Sequence, residues 1–212
     1  MTMENKSAPA TPFQAKSGQP ILCTGVIIPT GRLLLRPITE RDTWQIFDNF
    51  TTEVTRYMVP QPSNRVGDTI QFIRRALAGM ERGENLQFVI VDKASGEFLG
   101  CCGLHGQGTP RTPELGIWLK GAAQGNGYGK EAITALVAWA DQHLSYDYLT
   151  YPVDRNNIPS RKIPQALGGE IFEETLCAKQ NGGFLDAVIY RIYPQNQERS
   201  QVKVKLEKPG RA

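Results

Sequence analysis

The chain has 212 residues, 40% hydrophobic and 21% charged, with a formal net charge of +3, which suits one soluble domain with a full-sized core and excludes a fibrous or low-complexity protein. The small basic excess forms no stripe within the body of the chain, so no direct nucleic-acid partner is expected. Cys23, Cys101, Cys102 and Cys177 follow no metal-ligand spacing and read as free thiols, and no apolar run approaches the ~18–20 residues of a membrane helix, so a cytoplasmic protein without metal or membrane attachment is expected.

Residues 1–24 are rich in Pro, Ser, Thr, Lys and Ala and read as a flexible N-terminal tail whose removal leaves folding intact. Arg32-Leu33-Leu34-Leu35-Arg36 reads as a strand. Thr39, with Asp42 three residues on, caps a helix running to about Asn49. Ile70, Ile73, Ala76, Leu77 and Met80 recur at helical spacing over residues 68–80. Strands follow over 87–91, 97–105 and 114–120, broken by the turn Lys93-Ala94-Ser95-Gly96 and a Gly/Pro loop. Residues 131–144 form an amphipathic helix with Ile133, Leu136, Val137, Ala140 and Leu144 on one face. A strand over 148–153, a short helix over 159–167 and strands over 171–174 and 187–193 complete a body spanning 25–195. Residues 196–212 read as a charged C-terminal tail. The order β-α-α-β-β-β-α-β-α-β-β has consecutive strands on short loops, which argues an α+β (mixed α/β) sheet rather than a doubly wound parallel one.

The stretch A-Q-G-N-G-Y-G-K-E-A, residues 123–132, places a glycine-rich turn before the long helix. It is no Mg-nucleotide loop, because Gln124 stands where the first glycine of that loop belongs and Glu131 where its hydroxyl belongs. Gly125, Gly127 and Gly129 also fall one residue short of a dinucleotide turn. What remains is Q-x-x-G-x-G, from Gln124, Gly127 and Gly129. The first N–H groups of a helix lack internal partners and carry partial positive charge, and glycines let an anion approach closely.

The surroundings of this turn resemble the GNAT acetyltransferase superfamily, in its ribosomal-protein N-terminal acetyltransferase (Rim-like) branch. The resemblance rests on Thr30-Gly31-Arg32-Leu33-Leu34-Leu35-Arg36 with Asp42, on Gly96-Glu97-Phe98-Leu99-Gly100 with Gly103-Leu104 as the family's fourth strand, and on Glu114-Leu115-Gly116-Ile117-Trp118-Leu119 as its fifth. Asp154-Arg155-Asn156-Asn157-Ile158-Pro159-Ser160, similar to a D-x-x-N-x-x-S motif, and Gly183-Phe184-Leu185-Asp186 with Tyr190 complete it. It implies a GNAT fold with a mixed, mostly antiparallel sheet of about seven strands, splayed between strands 4 and 5 and flanked by about four helices. It also implies acetyl-CoA as co-substrate and an amine acceptor, either a protein N-terminus or a small molecule; a homodimer is compatible with it. Pro164 departs from the pattern and should kink or break the short helix, and Gly169 stands where an aromatic residue is common.

By that resemblance, Gln124, Gly125, Asn126, Gly127, Tyr128, Gly129 and Lys130 hold the pyrophosphate. The main chain at Ile117, Trp118 and Leu119, together with Asn157, holds the pantetheine, and Ser160 lies near the thiol. Asn157 also reads as a helix cap and Ser160 as a first-turn serine. Glu114 and His105 flank one hairpin, stand nearly opposite across it and are the candidate bases; an ion-paired surface carboxylate and a loop-end histidine are the plainer readings. Tyr57 and Trp118 are candidate acceptor contacts, with core or pantetheine packing the plainer reading of Trp118, while Trp44 and Phe72 read as core. A catalytically weak CoA-binding module with a regulatory or structural role is the alternative function.

Overall fold

Hydrophobic alternation sets the first strands. Leu33 and Leu35 are fully buried on one face of a strand, and β-branched and aromatic residues fill its neighbour from Phe88 to Val91. The computed structural model describes residues 12–180 and 182–195. Among these, eight strands form one sheet: β1 (Ile28–Pro29), β2 (Leu33–Pro37), β3 (Asn85–Asp92), β4 (Phe98–His105), β5 (Glu114–Leu119), β6 (Leu149–Asp154), β7 (Glu170–Ala178) and β8 (Phe184–Ile192). Their order is β1-β2-β3-β4-β5-β6-β8-β7. Every neighbouring pair is antiparallel except β5 and β6. Four α-helices are α1 (Thr43–Asn49), α2 (Val66–Glu81), α3 (Tyr128–His143) and α4 (Ile158–Ala166). β4 is buried on both faces, which is why adjacent Cys101 and Cys102 are both inaccessible although they point opposite ways. The four cysteines are free thiols.

Two features position the site. First, β5 and β6 share a single registered pair, Glu114 opposite Thr150, and part beyond it. The opening was expected between residues 98–104 and 114–119, but those strands, β4 and β5, are joined by six registered pairs from Gly100–Leu119 to His105–Glu114. The opening lies one strand further on. Once the two-residue β1 is set aside, β5 and β6 are the fourth and fifth of the seven longer strands, as the fold class requires. Second, α3 begins at Tyr128, three residues earlier than the apolar period suggests. Its first turn is built from Tyr128, Gly129 and Lys130, none of them an aliphatic residue that marks a core stripe, so periodicity alone missed it.

Other expectations change as well. Residues 12–24 are not a free tail. Phe13 and Cys23 are buried, Phe13 N–H donates to Gly83 O (2.8 Å), Lys16 N–H to His143 O (2.8 Å) and Ser145 N–H to Gln14 O (2.7 Å), and Ala15 bridges to Leu144. The Phe13 ring packs on Gly106, where a side chain has no room. The apolar residues of this segment are too few to show a period. The expectations for residues 1–11 and 196–212 lie outside the described residues. α4 runs through Pro164 and ends at Ala166; so near the C-terminus one missing N–H does not stop the helix. The Pro164 carbonyl then accepts from Leu167 and Gly169, and a Cβ at Gly169 would lie 2.8 Å from that oxygen, so the turn excludes a larger residue. Trp44, expected in the core, is 62% exposed and lies edge-on to Phe47.

Candidate active site

A cavity of about 700 Å³ opens at the split in the sheet. Its floor is the β4–β5 hairpin, where His105 and Glu114 stand directly opposite each other. Two glycines make room for the imidazole. A Cβ at Gly103 would lie 2.9 Å, and one at Gly116 3.2 Å, from His105 Nε2, and Gly103 and Gly116 are themselves registered partners. Burial lowers the pKa of His105, which favours the neutral ring, and burial raises that of Glu114, which moves the carboxylate toward the range of a useful base. Glu114 remains accessible within the cleft; protein atoms around it supply the desolvation. Glu114 and Trp118 line the same cavity two pleats apart, and Trp118 packs against Phe50 (5.1 Å) and Phe98 (5.8 Å).

The far wall comes from the β6–α4 junction. Buried Asp154 accepts from Asn156 N–H (2.8 Å), and Asn157 N–H donates to Asp154 O (2.9 Å). This Asx turn aims the chain into α4. Asn157 caps that helix by accepting from Ser160 N–H at 3.3 Å. Its Oδ1 is thereby used, and its NH₂ group is the part left to donate to a ligand. Ser160 Oγ lies 2.8 Å from the Tyr151 hydroxyl, and both residues line the cavity. Burial pushes the Tyr151 pKa up to about 12, against a lowering by its bond to Ser160.

Opposite, Tyr57 and Phe72 line the cavity from the segment between α1 and α2 and from α2; the Arg56 guanidinium lies 5.2 Å over the Tyr57 ring. This segment is tied to the β7–β8 hairpin above the cavity. Gln180 N–H donates to Val59 O (3.3 Å), Gln61 N–H to Gln180 Oε1 (3.2 Å) and Lys179 Nζ to Arg56 O (2.7 Å). That end of the cavity is therefore roofed.

The glycine turn sits outside the cavity, adjoining it through β5. Gly125 and Gly127 have φ of +80° and +77°, the left-handed conformation a side chain disfavours. Gly129 is needed for closeness instead, since a Cβ there would stand 3.3 Å from Ile163 Cδ1 and 3.7 Å from Ile117 and Leu119. The first helical bond of α3 is Glu131 N–H to Gly127 O, so the N–H groups of Tyr128, Gly129 and Lys130 have no acceptor within the helix. Gln124 Nε2 donates to Leu119 O (3.1 Å) and so pins the turn to the end of β5.

Sequence reading missed Arg32. Its guanidinium is held by Glu131 (Nε to Oε2, 2.8 Å; Nη2 to Oε2, 2.7 Å), donates to Asn126 O (3.1 Å) and lies 4.6 Å over the Tyr128 ring. Glu131 also accepts from Thr30 and from Arg32 N–H, and these bonds outweigh its partial desolvation and lower its pKa. The residue that rules out a Mg-nucleotide loop thus fixes a cation beside the turn. Tyr151 was missed too, because nothing in a strand pattern distinguishes a phenol that meets a serine from one that fills the core. Gly103 and Gly116 carried the available signal, being glycines inside strands.

An anion cradle at a helix N-terminus, joined by an unzipped strand to a cavity with paired titratable groups, is the arrangement of an enzyme that seats a long anionic acyl donor. The chain belongs to the acetyltransferase (GNAT) family, whose domain matches residues 32–170; it is an N-acetyltransferase with acetyl-CoA as donor. It is 26% identical over 171 residues to the uncharacterized N-acetyltransferase YoaA of Bacillus subtilis (strain 168), covering 78% of this chain and 96% of that one. Two solved structures share the fold. An acetyltransferase from Salmonella typhimurium that modifies the N-terminal serine of the 50S ribosomal subunit protein L7/L12 superposes with a TM-score of 0.69 at 17% identity, over 79% of this chain and 99% of that one. A spermidine N-acetyltransferase from Vibrio cholerae, in complex with CoA and spermine, superposes at 0.68 and 17% identity, over 78% and 97%. Among the described residues no His, Cys, Asp and Glu cluster is arranged to hold a metal, and no helix is long and apolar enough to cross a membrane.

Proposed function

We propose that the acceptor is the α-amine of a protein or peptide N-terminus, and that His105, Glu114, Asn157 and Ser160 serve its acetylation. The observation that carries this reading is the directly opposed His105–Glu114 pair at the floor of the cavity whose far wall carries Ser160. An α-amine has a pKa of ~7.7–8.0 and is roughly 10–20% neutral at pH 7, so a carboxylate with a raised pKa suffices to accept its proton; a lysine amine at ~10.4 needs far more. The roof over the acceptor end suits a slim chain end.

Bound acetyl-CoA supplies a thioester open to direct attack by the amine, with CoA thiolate as leaving group. The N–H groups of Tyr128, Gly129 and Lys130 meet its pyrophosphate, Gly125 and Gly127 give the turn its shape, and Asn126 and Gln124 hold that shape. The main chain of Ile117, Trp118 and Leu119 meets the pantetheine where β5 leaves β6. Glu114 takes the amine proton, neutral His105 orients it, Ser160 donates to the sulfur, and Tyr57 and Trp118 flank the acceptor.

Thiol release from acetyl-CoA tests this with peptides bearing free or blocked N-termini, and with spermine. Release with free termini alone is expected. Release with spermine alone would move the acceptor to a small amine, and tight CoA binding without acceptor-dependent release would favour the regulatory module.

A further inference from the structure

The hydroxyl pair at the end of β6 has a direction that a lone serine would lack. Ser160 Oγ carries one proton. It is offered either to Tyr151 Oη, 2.8 Å away, or to a ligand in the cavity. A phenol is the more acidic of the two hydroxyls and therefore the better donor in such a pair. Tyr151 is 2% exposed, and burial keeps its phenol protonated well above neutrality. It is also the first residue of β6 past Thr150, the last point where β5 and β6 are in register, so it stands where the sheet opens for the donor.

We infer that Tyr151 is a positioning residue for the leaving group, donating its hydroxyl hydrogen bond to Ser160 Oγ so that the serine proton is left to the departing sulfur. No proton changes owner. The Ser160 O–H stabilises negative charge on sulfur as the carbon–sulfur bond breaks, and the Tyr151 bond polarises that O–H and removes its competing acceptor. The pair contributes only as charge develops, so it lowers the barrier without tightening the ground-state complex. This inference rests on the placement of Ser160 near the sulfur proposed above.

A double-mutant cycle in the full chain tests it, with Tyr151→Phe, Ser160→Ala and the pair. The measurements are acetyl transfer to a short peptide with a free amino-terminal serine, background hydrolysis of acetyl-CoA without peptide, and CoA affinity by calorimetry. Tyr151→Phe keeps the ring and should lower kcat about three- to tenfold, with unchanged KM for acetyl-CoA and unchanged CoA affinity. In the Ser160→Ala background the same substitution should cost nothing further. Hydrolysis should follow the same pattern, since the leaving group is the same. An equal loss in both backgrounds, or a loss appearing in CoA affinity, would make Tyr151 a packing residue and overturn the inference. An impaired Ser160→Ala beside a silent Tyr151→Phe also overturns it while sparing the role of Ser160. A silent Ser160→Ala removes the reading beneath it.

Discussion

At the scale of single residues, environment sets the chemistry. Burial both holds His105 neutral and pushes Glu114 toward the proton-accepting range, and Gly103 and Gly116 decide that the imidazole fits at all. Glu114→Gln should lower kcat about a hundredfold while leaving CoA affinity unchanged. The sign of its pH dependence follows from the raised pKa. The base works only when deprotonated, so activity falls with falling pH through that pKa, in addition to the fall caused by protonation of the amine. Log kcat/KM should rise with a slope near 1 between the Glu114 pKa and that of the amine, and in the parent enzyme alone it should steepen toward 2 below the Glu114 pKa; an unaltered profile would remove Glu114 as base. Gly127→Glu forces a side chain into left-handed backbone and sets a carboxylate beside the cradle. It should weaken CoA binding more than about a hundredfold, and an unchanged Kd would sink the pyrophosphate assignment.

At the scale of elements, two ion pairs fix how secondary structure begins, and one of them adjoins the site. Arg32, from the edge of β2, is clamped by Glu131 of α3 and holds the Asn126 carbonyl. Because the guanidinium is half exposed, Arg32→Gln should raise the CoA Kd only about threefold, an effect that shrinks with added salt. Asp42 closes a capping box with Thr39 on the 3-10 turn that leads into α1, accepting from Thr39 N–H (2.8 Å) and from Arg36 (2.9 and 2.5 Å). Its burial works against ionisation, but these bonds win and its pKa is lowered. The stability it contributes is therefore present above the ordinary carboxylate pKa and lost as pH falls through the lowered folded value. Asp42→Ala should cost about 2–4 kcal/mol at pH 7 in urea unfolding, with the difference closing in acid.

At the scale of the whole molecule, the segment from residue 12 to 24 belongs to the body. It straps the end of α2, the loop after β4 and the end of α3, and Phe13 packs beside the residue that follows His105. Phe13→Ala should cost about 3 kcal/mol. For a chain of this size that is a fall of roughly 6–12 °C in melting temperature, readable by calorimetry. Deleting residues 1–24 should cost at least as much, contrary to the expectation from composition. An unchanged melting temperature in both would show that the strap docks without energetic weight.

Much of this was legible beforehand. The apolar runs of β2 to β5, the apolar stripes of α2 and α3, the Thr39–Asp42 cap and the Q-x-x-G-x-G turn are local signals, because each depends on residues a few positions apart. The pairing of His105 with Glu114 was legible for the same reason, lying across one hairpin. The rest joins residues that are distant along the chain. Arg32 meets Glu131 ninety-nine residues away, Phe13 meets Gly106, and the opening of the sheet follows from β6 sharing one register pair with β5. Tyr151 and Ser160 are only nine residues apart, yet the Asx turn at Asp154 must fold the chain back before the hydroxyls meet. Sequence alone determined which elements form, because propensity and periodicity act locally. Tertiary structure alone decided which side chains share the cavity, because burial and register are properties of the assembled sheet.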